Sequence, residues 1–168
     1  MTWKKQPNSR YCFICGIHNP VGLNLAFWQD GEKVVSRVEL GVAYQGYPGI
    51  VHGGIVTALL DEVMGRAIIG LGGDFAFTAK MELKFRQPAP LNTPLVVSGW
   101  LTRQRSQWFT TEGELIVEES GEVVVRATAT FARLPDEQVE EMSDALDFWE
   151  VVEDRSTHQP PVEWEDEG

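Results

Sequence analysis

One apolar stretch of helical length, from Gly53 to about Gly70, stands ahead of four segments with strand character, and that order constrains this chain most. The stretch is apolar on most sides, broken only at Thr57, Asp61, Glu62 and Arg66, which is the pattern of a buried helix. It needs a sheet to lie against. Residues 77–85 alternate, with Lys80, Glu82 and Lys84 on one face and Ala79, Met81, Leu83 and Phe85 on the other. Residues 95–104, 108–118 and 122–133 read as three further strands, with Ser120-Gly121 turning the last pair. Ahead of the helix, residues 21–29 and 33–40 flank Asp30-Gly31, a hairpin turn signal. The expectation is an α+β fold: one buried helix on an antiparallel sheet whose last four strands follow in meander order.

The ends read differently from this body. Residues 1–20 are irregular, broken by Pro7, Gly16 and Pro20. The formal net charge of -11 is concentrated in the tail. From Asp136 onward 13 residues are acidic and only Arg155 is basic, whereas the first 135 residues carry 12 acidic and 13 basic side chains. The reading is a domain over 1–134 and an acidic extension over 135–168, with a short helix to about Glu150 and then a mobile end. The acidic charge argues against a polyanion-binding surface on the tail, and the near-neutral body is left free to bind an anion locally. Met1 to Arg10 is polar and no apolar run reaches membrane-spanning length, so a cytoplasmic protein with reduced thiols is expected.

Chemistry concentrates in residues 52–62. His52 stands before Gly53 and Gly54, where the bare amides of a helix start can hold a developing negative charge. A tight turn that merely needs glycine would look the same. Asp61 and Glu62 point about 100° apart on a helix, so they divide their roles. A carboxylate on a buried helix needs a partner or a purpose. Asp61 is assigned the chemistry and Glu62 an ion pair with Arg66, four residues on. The pair Cys12 and Cys15, followed by His18, suggests a metal knuckle, but structural zinc takes four ligands and no second Cys/His cluster follows. A buried turn is the favoured reading, so no metal is assigned, and a redox pair is the third. Arg86, Arg103 and Arg105 suit phosphate by their fork geometry, or form a solvated strand edge. Walker, dinucleotide, nucleophile-elbow and zinc-protease motifs are absent from the sequence.

The segment Tyr44-Gln45-Gly46-Tyr47-Pro48-Gly49-Ile50-Val51-His52-Gly53-Gly54, with Leu60-Asp61-Glu62, resembles the hot-dog-fold acyl-CoA thioesterases. It is most similar to the branch with the phenylacetate-pathway and human thioesterase-superfamily members. Cys12 to Gly16, Asn19 to Leu23, Thr78 to Met81 and Phe85 to Pro88 extend the likeness over about residues 11–133. The resemblance implies a curved sheet wrapped around a long central helix, a homodimer or homotetramer, sites at the subunit interface and no cofactor. It implies Asp61 as base or nucleophile, Gly53 and Gly54 polarising the thioester carbonyl, His52 beside the thioester and Thr78 orienting water or carboxylate. An asparagine that some members carry ahead of the histidine is missing, and Gln45 is its nearest substitute. Arg86, Arg103 and Arg105 would meet coenzyme A phosphates. The expected activity is acyl-CoA hydrolysis. An enoyl-thioester hydratase or dehydratase using His52 with Asp61, and a non-catalytic acyl-CoA-binding module, are the alternatives. Neither nucleic acid nor a membrane is an expected partner.

Overall fold

The structure is a computed structural model and describes residues 3–70, 75–145 and 149–151. Its elements are β1 (Lys4–Lys5), β2 (Asn8–Ser9), β3 (Trp28–Asp30), β4 (Lys33–Val38), α1 (Gly53–Gly70), β5 (Ala76–Phe85), β6 (Leu95–Arg105), β7 (Trp108–Val117), β8 (Val123–Arg133), α2 (Asp136–Ala145) and β9 (Trp149–Glu150). Seven strands form one antiparallel sheet in the order β1-β3-β4-β6-β7-β8-β5. The sheet wraps around α1, which is the hot-dog architecture.

The helix is where the apolar stretch places it. Val56, Leu59, Leu60, Val63, Met64, Ala67 and Ile68 are buried against Phe27, Val34, Leu95, Phe109 and Leu115. Each such side chain contributes about 1.5–3 kcal/mol by leaving water. Close approach is set by a glycine pair. Gly99 and Gly113 are register partners on β6 and β7. A Cβ on Gly99 would stand 2.9 Å from the Val63 carbonyl oxygen, and one on Gly113 2.9 Å from Met64 Cγ. Side chains there would lift the helix off the sheet.

The order of the strands departs from the meander expectation. β6, β7 and β8 do follow one another, but β5 pairs with β8 on the far side, and β6 pairs instead with β4. The reason is that α1 lies between β4 and β5 and carries the chain across the sheet, so β5 becomes an edge. Residues 21–27 are loop rather than strand, tied back by Leu23 N–H to the Phe13 carbonyl and Leu25 N–H to the Ile14 carbonyl, each at 2.8 Å. Among the first 20 residues, β1 and β2 are short strands. The acidic helix α2 is described over Asp136–Ala145, and Trp149–Glu150, where the helix is expected to run on, is instead strand β9, which pairs with β2 and matches Asn8 with Glu150 and Ser9 with Trp149. The tail beyond residue 151 lies outside the described residues.

Candidate active site

The 3-10 turn over Val42–Tyr44 and the loop after it deliver the chain to the start of α1. His52 N–H donates to the Tyr44 carbonyl at 2.8 Å, and the Gln45 carboxamide oxygen accepts from Gly49 N–H at 3.1 Å. Gln45 therefore holds its own loop together, and that oxygen is not aimed at a ligand. Gly49 has φ +80, a backbone conformation that suits glycine.

At the helix start, Gly54 N–H donates to His52 Nδ1 at 2.9 Å. The imidazole is a cap, and the Gly54 amide is already engaged. The amides of Ile55 and Val56 both turn back to the His52 carbonyl. Gly53 N–H remains as the amide open to a ligand at this helix end. A Cβ on Gly53 would lie 3.7 Å from Phe85, which places this end of the helix over the C-terminal end of β5. With Nδ1 accepting a bond, the ring proton sits on Nε2, which is then a donor.

Asp61 sits two turns further along α1, half-buried. Thr78 Oγ1 donates to Asp61 Oδ1 at 2.5 Å, the length of a charge-assisted O–H···O bond. Burial pushes the Asp61 carboxyl above its ordinary value, the Thr78 hydroxyl opposes that push, and the neighbouring Glu62 charge adds to it. A desolvated carboxylate held by a hydroxyl is a base that does not lie idle as an exposed ion pair.

Thr78 reaches Asp61 because β5 is not regular. The pairing with β8 shifts between Thr78 and Lys80, leaving Ala79 as the extra residue of a bulge. Strict alternation would put Thr78 on the same face as Lys80. Instead Thr78 pairs with Phe131, which is buried, whereas Lys80 pairs with Thr130 on the outer face. The bulge turns Thr78 towards the helix.

Glu62 has the structural role that its spacing suggests. Arg66 Nε donates to Glu62 Oε1 at 2.8 Å, and Arg66 is only 3% exposed. That guanidinium also reaches the Pro7 carbonyl at 2.9 Å and lies 4.3 Å from the centre of the Phe27 ring. Sequence reasoning did not find the second partner of Glu62: the Cys12 thiol lies 3.5 Å from Oε2. Cys12 and Cys15 are both free thiols, Cys15 buried in the core. The contact between the two sulfurs lowers the Cys15 thiol and, together with burial, pushes the Cys12 thiol up.

The three arginines do not gather in one chain. Arg86 follows the end of β5 that lies by Gly53, whereas Arg103 shares a sheet row with Lys80, through Thr110 and Thr130. Six residues of strand, about 20 Å, separate the two rows. Gly53 and Asp61 are also apart: eight residues at 1.5 Å per residue make about 12 Å. Thr78 and Asp61 are brought together, and so are His52 and Gly54, but the two pairs sit at opposite ends of β5.

Comparison with known proteins bears on the fold that carries this site. The family described as the thioesterase superfamily matches residues 48–124. The mouse acyl-coenzyme A thioesterase THEM4 is 29% identical over 113 residues, which are 67% of this chain and 48% of that protein. This chain thus spans about half the length of that relative. A solved structure of a thioesterase superfamily protein is 31% identical, with a TM-score of 0.69 over 73% of this chain and 63% of the other. A hypothetical thioesterase from Streptococcus pneumoniae, crystallised with coenzyme A, gives a TM-score of 0.57 at 23% identity, over 60% of this chain and 80% of its own. The chain carries the hot-dog fold of the thioesterase superfamily.

Proposed function

We propose that this hot-dog chain hydrolyses an acyl-coenzyme A thioester at sites shared between two copies. The observation that carries the reading is the hydrogen-bonded Thr78–Asp61 pair on a desolvated helix face. Asp61 activates water or attacks the carbonyl, and Thr78 fixes the carboxylate that does so. The carbonyl oxygen is met by Gly53 N–H, with His52 Nε2–H beside it.

Twelve ångströms between Gly53 and Asp61 is too far for one chain to supply both halves. β5 is an edge strand, and a second copy pairing antiparallel about its middle brings the Thr78 end of one strand opposite the Phe85 end of the other. Asp61 of one copy then faces Gly53 of its partner, and the partner's Arg86 comes close enough for a coenzyme A phosphate. The coenzyme A held by the Streptococcus pneumoniae protein supports that ligand class. A His52 whose Nε2 carries the proton is a donor, which disfavours the hydratase reading that needs it as a base.

Thiol release from acyl-CoA tests the activity. Asp61→Asn is expected to lose at least a hundredfold in kcat. Gly53→Pro removes the amide at the first helical position, where proline is tolerated, and also sets ring carbons where the carbonyl oxygen would dock, so it is expected to lose at least about 10²–10³-fold. Mixing the two variants is the sharper measurement. Random exchange makes half the dimers mixed, each with one complete site, so about a quarter of wild-type activity returns. If both variants are inactive and their mixture stays inactive after exchange, the shared site is wrong.

A further inference from the structure

The thioesterase reading leaves Cys12, Cys15 and Glu62 unused, yet they converge. The two sulfurs and a carboxylate oxygen all lie within 4.8 Å of one another. We propose that they bind a divalent cation of the zinc class, which ties the N-terminal loop to α1.

Four features point to a cation rather than to a plain buried turn. First, the loop has the conformation of a metal-binding knuckle: the N–H groups of Ile14 and Cys15 both point at Cys12 Sγ, at 3.3 and 3.5 Å. Such N–H groups orient a sulfur ligand from behind. Second, glycine is required after the second cysteine. A Cβ on Gly16 would stand 2.3 Å from the Cys12 carbonyl oxygen, to which Gly16 N–H itself donates at 2.8 Å. Third, the carboxylate is divided. Glu62 Oε1 is bonded to Arg66 Nε, which leaves Oε2 at 3.5 Å from Cys12 Sγ, oriented to bind through one oxygen. Fourth, the charges would close on binding: two sulfurs that give up their protons to the metal and Glu62 would carry three negative charges, against one on Arg66, and a divalent cation makes up the difference.

The sequence lacks a second Cys/His cluster, which argues for a turn only if the remaining ligands must be Cys or His. Here the third donor comes from a helix 50 residues away, and water completes a tetrahedral site. Ser9 Oγ, 3.4 Å from Cys15 Sγ, orients the second sulfur. The thiol protons pass to solvent as the sulfurs coordinate, and no electron transfer is involved.

Cobalt is the probe. Reduced, metal-free protein titrated with Co²⁺ is expected to take up one equivalent with sulfur-to-cobalt charge-transfer absorption and tetrahedral ligand-field bands, and Zn²⁺ is expected to displace it. The Cys12→Ser, Cys15→Ser double variant should lose the charge-transfer absorption, and Glu62→Gln should weaken Zn²⁺ binding at least tenfold, roughly the cost of losing a metal-site partner. Asp61→Asn should bind Co²⁺ as the wild type does, so the metal site and the thioesterase reading fail separately. No uptake by reduced wild-type protein would overturn the proposal, whether or not the variants fold. So would uptake without charge-transfer absorption, or uptake undiminished in the double-serine variant, which would place the cation elsewhere, for instance on the acidic tail.

Discussion

Replacing Thr78 by valine keeps the shape of the side chain and deletes the hydroxyl that holds Asp61. A hydrogen bond to a charged group contributes about 1.5–3 kcal/mol. Thr78 is exposed in the single chain, so water competes for the carboxylate, and the lower half of that range, about 1.5–2 kcal/mol, is the fitting figure. At about 1.4 kcal/mol per factor of ten, kcat/KM should fall about ten- to thirtyfold. The pH profile carries the sharper signature. Hydrolysis needs the carboxylate form of Asp61, so activity rises with pH through its pKa, which burial already holds above the ordinary value. The Thr78 hydroxyl opposes that rise, so its loss moves the acidic limb further up in pH. Thr78→Ser should restore both the rate and the limb. Initial rates of thiol release across pH, for wild type, Thr78→Val and Thr78→Ser, measure this. A folded Thr78→Val protein with wild-type rate and an unmoved acidic limb would refute the role given to the pair.

Asp61→Asn should also stabilise the fold by about 1 kcal/mol in a denaturant titration at neutral pH, because a neutral amide relieves the desolvation of a charge. The folded carboxyl has the higher pKa, so its penalty is complete above that value and gone below the unfolded one; the gain should vanish as pH falls through the carboxyl range. Gly99→Ala should cost about 1–3 kcal/mol by pressing a methyl group onto the Val63 carbonyl, read as a lower urea midpoint at unchanged slope. Arg66→Ala should cost about 3 kcal/mol in the same titration, since it leaves the Glu62 carboxylate without its buried partner.

The parts of the fold that were legible in the sequence are those set by local periodicity. The apolar run of α1 announces a buried helix, the strand patterns announce β6, β7 and β8, and the Ser120-Gly121 turn announces the hairpin of the last two. Strand order is a different kind of information. Nothing in the alternation of residues 77–85 says that they will cross the sheet and pair with β8, because that is decided by where α1 lies. The site divides in the same way. The Glu62–Arg66 pair follows from helical spacing and is present. The Glu62–Cys12 approach spans 50 residues and has no local signal. That the His52 ring occupies the Gly54 amide depends on the loop from Gly41 to Val51, whose path the sequence leaves open.

The bulge at Ala79 has a counterpart. On β6 the pairing shifts between Leu101 and Arg103, and both irregularities fall within a residue of the row joining Thr110 to Thr130. Two spare residues, on the first and last of four adjacent strands, lie on one line and act as a crease across the sheet. The part beyond the crease carries Thr78, whose side of the sheet is set by the spare residue Ala79. Deleting Ala79, which need touch no substrate, would restore strict alternation and turn Thr78 away from the carboxylate, and grafting Thr78 and Asp61 onto a straight strand and helix would transfer the residues without the contact.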